Sequence, residues 1–276
     1  MSGQRKNELD ALCLRLRRDL IRVLHGIQTG HPGGSLSMTE ILVTLYFEKL
    51  RIDPARPGDP GRDRFILSKG HGAPMLYEVL AERGFFPRED LGSLRQIGSH
   101  LQGHPCARKT PGIELSTGPL GLGLSAGLGM ALAARLDGRD YRTYVLMGDG
   151  ELQEGIVWEG AMSAARFAAD RLCVIVDYNG VQLDGTLDEV MPLGDLSAKW
   201  RAFGWQVIEV DDGHDLTQLS DAIDQAATTK GRPVVILART VKGKGVSFME
   251  GESAWHGKPI GDDDYAKAMK ELGVEA

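Results

Sequence analysis

The segment Tyr144-Val-Leu-Met-Gly-Asp-Gly150 joins an apolar run to a Gly-Asp-Gly break. Gly148 and Gly150 permit a tight turn in which backbone N–H groups approach an anion, and a helix predicted to follow favours negative charge at its N-terminus. Asp149 opposes this, because a carboxylate repels a bare phosphate. A divalent cation between Asp149 and a diphosphate removes the conflict: Mg2+ takes oxygen ligands, commonly one or two protein groups plus phosphate oxygens. The next apolar run, Leu172 to Asp177, ends in Asp177-Tyr-Asn-Gly180 and puts Asn179 at the matching place. Consecutive parallel strands are usually adjacent, so the Asn179 amide oxygen and a backbone carbonyl just after it can reach the same ion. Either motif alone is an ordinary turn. Together, at matching strand ends with one helix between them, they point to a site.

Four of the seven histidines, His31, His71, His104 and His256, stand beside Gly or Pro in loop-like segments. Histidines in loops are commonly plain polar surface residues, and spacing alone gives these four no shared task. The three cysteines, Cys13, Cys106 and Cys173, are scattered and lack metal-ligand spacing, so neither a disulfide framework nor a zinc site is indicated. A net charge of -6 argues against nonspecific nucleic-acid binding. No apolar run approaches the roughly 20 residues of a spanning helix, and Met1 to Asp10 lacks the apolar core of a secretory signal. No membrane association and a cytoplasmic location are therefore expected. Glycine is the unusual component, 36 of 276 residues with no collagen period and no Gly/Ser linker, which implies loops and close backbone contacts.

The elements that must position these residues alternate. Leu9, Leu12, Leu16, Leu20, Val23, Leu24 and Ile27 recur at helical spacing, leaving Arg15, Arg18 and Arg22 as a basic face read as solvated. Ser37 and Glu40 have capping-box spacing and predict a second helix through Ile41, Leu42, Leu45 and Tyr46. Strands are expected at Arg64 to Leu67, Thr143 to Met147, Leu172 to Asp177, Gln206 to Val210 and Pro233 to Ala238. Helices are expected around Met75 to Arg83, Leu122 to Leu136, Val157 to Ala168, Leu196 to Phe203 and Leu216 to Thr229. Continuous apolar strands such as Cys173-Val-Ile-Val176 suit a parallel sheet covered on both faces. The fold class is thus α/β, a mostly parallel sheet flanked by helices on both faces in one domain over 1–276, with its ligand at the carboxyl ends of the strands. Gly121-Leu-Gly-Leu-Ser-Ala126 matches a loose dinucleotide pattern, but the turn Thr117-Gly-Pro119 precedes it where a buried strand is required.

The Asp149 and Asn179 pair resembles the diphosphate signature of thiamine-diphosphate enzymes. Thr29-Gly-His-Pro-Gly33, Arg62-Asp-Arg-Phe-Ile-Leu-Ser-Lys-Gly-His71, Gly103-His-Pro105, Ser116-Thr-Gly-Pro-Leu-Gly-Leu-Gly123, Gly148-Asp-Gly-Glu-Leu-Gln-Glu-Gly155 and Trp255-His-Gly257 are similar to transketolase motifs, in transketolase order. The resemblance extends over roughly positions 8 to 270. It implies the thiamine-diphosphate-binding fold, with Mg2+ (or Ca2+ or Mn2+ as substitutes) on Asp149, Asn179 and the backbone carbonyl of Val181. It implies that Gly148, Asp149, Gly150 and Asn179 bind the diphosphate, that His71 and His256 reach it, and that Gly118 and Leu120 lie beside the thiazolium ring. It implies that His31 and His256 assist proton transfer near the reacting carbons and that His104 contacts the donor's terminal hydroxyl. Neutral imidazoles suit that work near pH 7. His25, His100 and His214 match no site of the family and are read as structural. Glu154 has two readings, an interface acid coupling paired active sites or an acid in the first turn of a helix. Lys242-Gly-Lys-Gly245 is either a solvated basic loop or part of the site rim.

The departure from the family is length. A full transketolase carries a pyrimidine-binding domain, with the glutamate that activates the cofactor, and a C-terminal domain; neither is expected within these 276 residues. The resemblance is therefore to the N-terminal subunit of a split transketolase, active with a complementary subunit carrying the pyrimidine domain, as an α2β2 heterotetramer acting on sugar phosphates. Two alternatives are the α subunit of a 2-oxo acid dehydrogenase or related decarboxylating synthase, which shares the Gly-Asp-Gly and Asn pair, and a non-catalytic paralogue.

Overall fold

Alternation along three central strands divides the interior into two cores. Tyr144 and Leu146, Cys173 and Ile175, and Val234 and Ile236 point to one side, while Val145 and Met147, Val174 and Val176, and Val235 and Leu237 point to the other. A strand buried on both faces needs helices on both faces. The structure, a computed structural model, describes residues 1–274 and supplies them. Strands β1 (Arg64–Leu67), β2 (Thr143–Gly148), β3 (Leu172–Tyr178), β4 (Gln206–Val210) and β5 (Val234–Arg239) form one sheet in the order β1-β2-β3-β5-β4. Every neighbouring pair is parallel. The β2–β3 register sets Gly148 opposite Asp177, so the loops carrying Asp149 and Asn179 leave the sheet side by side.

Helices α1 (Gly3–Ile27), α2 (Pro32–Leu36), α3 (Thr39–Thr44) and α4 (Ala73–Glu82) come from the first part of the chain. Then follow α5 (Leu122–Leu136), α6 (Gly155–Arg166), α7 (Leu187–Val190), α8 (Leu196–Ala202), α9 (Leu216–Thr228) and α10 (Asp262–Glu271). Residues of α1, α3, α4, α9 and α10 fill one core; residues of α5, α6 and α8 fill the other. The expected bounds of α5 coincide with those found. β5 starts one residue later than expected, since Pro233 has no N–H to give the ladder, and runs one residue further, to Arg239 opposite Tyr178. Arg15 and Arg22 lie on the surface as expected, in ion pairs with Glu82 and Asp19, while Arg18 donates to the Leu272 carbonyl and ties α1 to the end of α10.

The capping box read at Ser37 and Glu40 does not form. A separate short helix, α2, precedes it, and α3 starts at Thr39 behind Met38 with no side-chain cap. Both side chains are taken by partners remote in sequence. The Ser37 hydroxyl donates to Asp177, and the Glu40 carboxylate binds Arg17 and His214.

The dinucleotide pattern is also resolved. Gly121 has φ +83 and stands directly before α5, in a loop and not at the end of a strand. Two residues later, a Cβ on Gly123 would collide with the Ser68 side chain, so the helix start is pressed against the end of β1. Among the described residues no helix is long and apolar enough to cross a membrane.

Candidate functional site

The carboxyl ends of β1, β2 and β3, Gly34 of α2 and the loops near residues 242 and 256 surround a cavity of about 270 Å3, which His31 and His104 do not line. Its lining includes His71, Leu120, Gly148, Asp149, Gly150 and Glu154, and on the other side Asn179, Val181, Lys242 and His256. The residues expected from Gly148 to Val181 are therefore brought together. Asp149 is 2% exposed; its Oδ1 accepts from the Gly150 N–H and its Oδ2 from the Gly180 N–H. Asn179 turns its amide oxygen to the Val181 N–H at 3.1 Å, the self-bonding habit of Asn in turns. A Cβ on Gly150 would lie 2.8 Å from Cβ of Gln182, which leaves only glycine room at the tip of the turn.

The four motif histidines form one cluster. Ring centroids are 5.4 Å apart for His31 and His71, 5.5 Å for His31 and His256, 4.9 Å for His71 and His256, and 6.5 Å for His31 and His104. His104 is the exposed member, and the Cβ direction of Gly118 faces its ring. Burial, reinforced by Arg95, pushes His31 down to about 4, and burial with the Lys242 charge pushes His256 to about 3. Burial and Lys69 hold His71 well below its ordinary value, and burial and Arg95 lower His104. All four rings are thus neutral at pH 7, each carrying one donor and one acceptor nitrogen.

Glu154 is exposed at the cavity edge and sits directly before α6, one position earlier than a first-turn acid, with no side-chain hydrogen bond to the helix. His25 stacks on Tyr265 and His100 bonds Asp90, both remote in role from the cavity. The loop at Lys242 belongs to the site: Lys242 is 2% exposed, and its ammonium donates to the carbonyls of Val181 and Gln182 and contacts His256 Nδ1, each at 3.1 Å. Burial, then the neighbouring Lys69 charge, pushes Lys242 down to about 8.

Several members have no counterpart among the residues expected. Lys69 is buried and bonds Asp177 and the Gly34 carbonyl. Asp177, fully buried, also accepts from the hydroxyls of Ser37 and Thr240. Burial alone would raise the Asp177 carboxyl; Lys69 and these donors keep it below its ordinary value. Glu151 accepts from the Ser68 hydroxyl and from the N–H groups of Gly121 and Gly148, fastening three loops at one carboxylate. Arg95 reaches Thr29, His31 and the Gly103 carbonyl. A signal for Lys69 and Asp177 exists in the sequence, a charged residue at the carboxyl end of an apolar strand.

Asp149 has no cation in bonding contact, and Lys242 has no anion, among the described residues. Burial and the like charge of Asp177 push Asp149 up to about 7. An anion short of positive charge and a cation short of negative charge therefore share one cavity. A carboxylate, a side-chain amide oxygen and a main-chain carbonyl are hard oxygen donors that fit Mg2+, Ca2+ or Mn2+. No group of three His, Cys, Asp or Glu placed to hold a metal occurs among the described residues, and this donor set contains only one such residue.

Comparison with known proteins gives a consistent picture. Residues 13–276 match the family described as transketolase, thiamine diphosphate binding domain. The chain is 45% identical over 260 residues to the 6-deoxy-6-sulfo-D-fructose transketolase subunit SqwG of Clostridium sp. (strain MSTE9), covering 94% of each. It is 43% identical to one of the subunits of apulose-4-phosphate transketolase from Phocaeicola vulgatus, over 93% of this chain and 90% of that one. Among solved structures, transketolase from Leishmania mexicana superposes with a TM-score of 0.91 at 34% identity, over 97% of this chain and 41% of that chain.

Proposed function

Because the chain belongs to the family of transketolase thiamine diphosphate binding domains, we propose that it is the cofactor-holding subunit of a two-chain transketolase. In this reading it transfers a two-carbon ketol unit from a ketose phosphate to an aldose phosphate once joined to a complementary subunit. The observation that carries the reading is one cavity lined by both Asp149 and Lys242, neither of which has an oppositely charged group in bonding contact. A diphosphate with its divalent ion brings both missing signs at once. Subunit names among the relatives, which this chain covers over at least nine-tenths of their length, support a partner chain; the assembly proposed for the two is α2β2. The chain spans about 41% of the solved transketolase; in this reading the partner chain brings the pyrimidine and C-terminal domains. The relatives favour this over a 2-oxo acid dehydrogenase subunit or a non-catalytic paralogue.

Asp149, Asn179 and the Val181 carbonyl would hold the ion, with Mg2+ as the cytoplasmic choice. The Gly148-to-Gly150 turn, His71 and His256 line the place for the diphosphate, and Lys242 adds its positive charge there. Thiamine diphosphate, when bound, supplies a carbon centre that makes and breaks a carbon–carbon bond beside a ketose carbonyl. His31 and His256, neutral and 5.5 Å apart, are placed to take or return hydroxyl protons there. His104, at the exposed edge, is placed to bond the donor's terminal hydroxyl. In this reading Leu120 and Gly118 would lie beside the thiazolium ring, and the exposed Glu154 would meet the partner chain.

The test is reconstitution. The chain, its partner subunit, thiamine diphosphate and Mg2+ are mixed with ketose and aldose phosphates. Two-carbon transfer that neither chain performs alone supports the reading; absence of transfer across a panel of sugar phosphates, with pyruvate consumed in its place, overturns it.

A further inference from the structure

The Lys242 ammonium touches only neutral groups. A lysine has a long flexible stem, so its position depends on where the main chain places its Cα. That main chain lies outside every helix and strand. It is fastened from beneath by side chains that are distant in sequence. The Val241 N–H donates to His214 Nε2 at 2.9 Å, and His214 Nδ1 meets Glu40 Oε2 at 2.8 Å. Because Nε2 accepts, the ring proton is assigned to Nδ1 and donated to the carboxylate. Arg17 grips Glu40 with two nitrogens, at 2.5 and 2.7 Å, and turns its Nε to the Lys244 carbonyl at 3.0 Å. Arg17 and Glu40 are 6% and 5% exposed. Burial alone would raise the Glu40 carboxyl, but the Arg17 charge and the bonds from His214 and Arg17 hold it at about 2, so the anchor stays ionised. The Gly243 N–H to Gly33 carbonyl bond, 3.0 Å, completes the fastening and joins this loop to the helix that follows His31.

We propose that His214, held by the Glu40–Arg17 pair, is a positioning residue that sets the place of Lys242 and, through it, of His256 in the diphosphate cavity. The inference rests on the reading of that cavity given above. An imidazole bridges an amide donor and a carboxylate with its two nitrogens, and the glutamine amide, with one acceptor oxygen and an N–H donor, is its conservative replacement. The role differs from the structural reading of His214 made from the sequence, since its effect is directed at one ammonium.

The test uses the assembled two-subunit complex. His214→Ala, Lys242→Met and the double variant are titrated calorimetrically with thiamine diphosphate at saturating Mg2+. His214→Ala should weaken binding by about tenfold and His214→Gln by less, while His214→Ala in the Lys242→Met background should add under about twofold. An equal loss in both backgrounds, or no loss, overturns the proposal. Hydrogen exchange without cofactor gives a readout independent of the functional reading: the Gly243 amide, which His214 does not touch, should exchange faster in His214→Ala while Ile236 in β5 keeps its rate. Unchanged exchange at Gly243 overturns the proposal. Failure of the parent complex to bind thiamine diphosphate overturns the functional reading and leaves the exchange result to decide the role of His214.

Discussion

The two ends of the sheet treat charge differently. At the amino ends, charges are matched within the chain: Asp63 accepts from the Arg51 guanidinium and from the main-chain N–H groups of Arg51 and Arg142, Arg51 also reaches Asp140, and Lys49 pairs with Asp224. At the carboxyl ends, Lys69 pairs with Asp177, but Asp149 meets only backbone amides and Lys242 only carbonyls and an imidazole. A matched end holds the sheet together and asks for nothing more. The mismatched end costs stability unless something arrives with the missing charges, which is how a binding site differs from a structural network.

Substitutions sharpen this contrast, beginning with the largest effect. Asp149→Ala should weaken thiamine diphosphate binding to the assembled complex by at least about 100-fold in calorimetry, since it removes the carboxylate proposed to hold the ion. Asp63→Asn should leave that affinity unchanged yet lower chain stability by about 2 kcal/mol in denaturant unfolding, through the lost charge-assisted bonds. Lys242→Met should cost about tenfold in cofactor affinity with little loss of stability, because the ammonium has no internal counter-ion to strand.

Glu78 gives the smallest and most local effect. It is a 1% exposed carboxyl in α4 with neither oxygen bonded, and burial, then the Asp19 charge, pushes it up to about 8. An unfolded glutamate titrates near about 4.3, so between these pH values the native state holds the extra proton and stability falls as pH rises. Glu78→Gln should flatten that slope and add about 1 kcal/mol at pH 8, without moving cofactor affinity. A loss of affinity in this variant would break the separation between charge that lines the cavity and charge buried elsewhere.

Much of the frame was legible because it depends on local pattern. The apolar runs of β2 and β3, with one helical segment between them, placed Asp149 and Asn179 at matching strand ends, and the β2–β3 register bears that out. The histidine cluster was legible through family motifs, since nothing in their spacing brings His31 beside His256. What stayed hidden depends on partners far apart in the chain. Ser37 and Glu40 look like a local cap, but Asp177 and Arg17 take them. Lys242 could not be read as solvated or buried, because its burial is decided by α2, the Val181 loop and the His214 anchor together. Glu151 has the form of any acid near a helix start, and only the fold shows it fastening Ser68, Gly121 and Gly148.

The central claim is that the carboxyl-end cavity is completed by a ligand bringing both signs of charge. The most direct measurement is a calorimetric titration of the assembled complex with thiamine diphosphate, with Mg2+ and with chelator in its place. The account predicts strong mutual dependence, with the diphosphate bound at least about tenfold more tightly when the ion is present and the ion bound more tightly by the same factor when the diphosphate is present. Equal affinity with and without the divalent ion would contradict it.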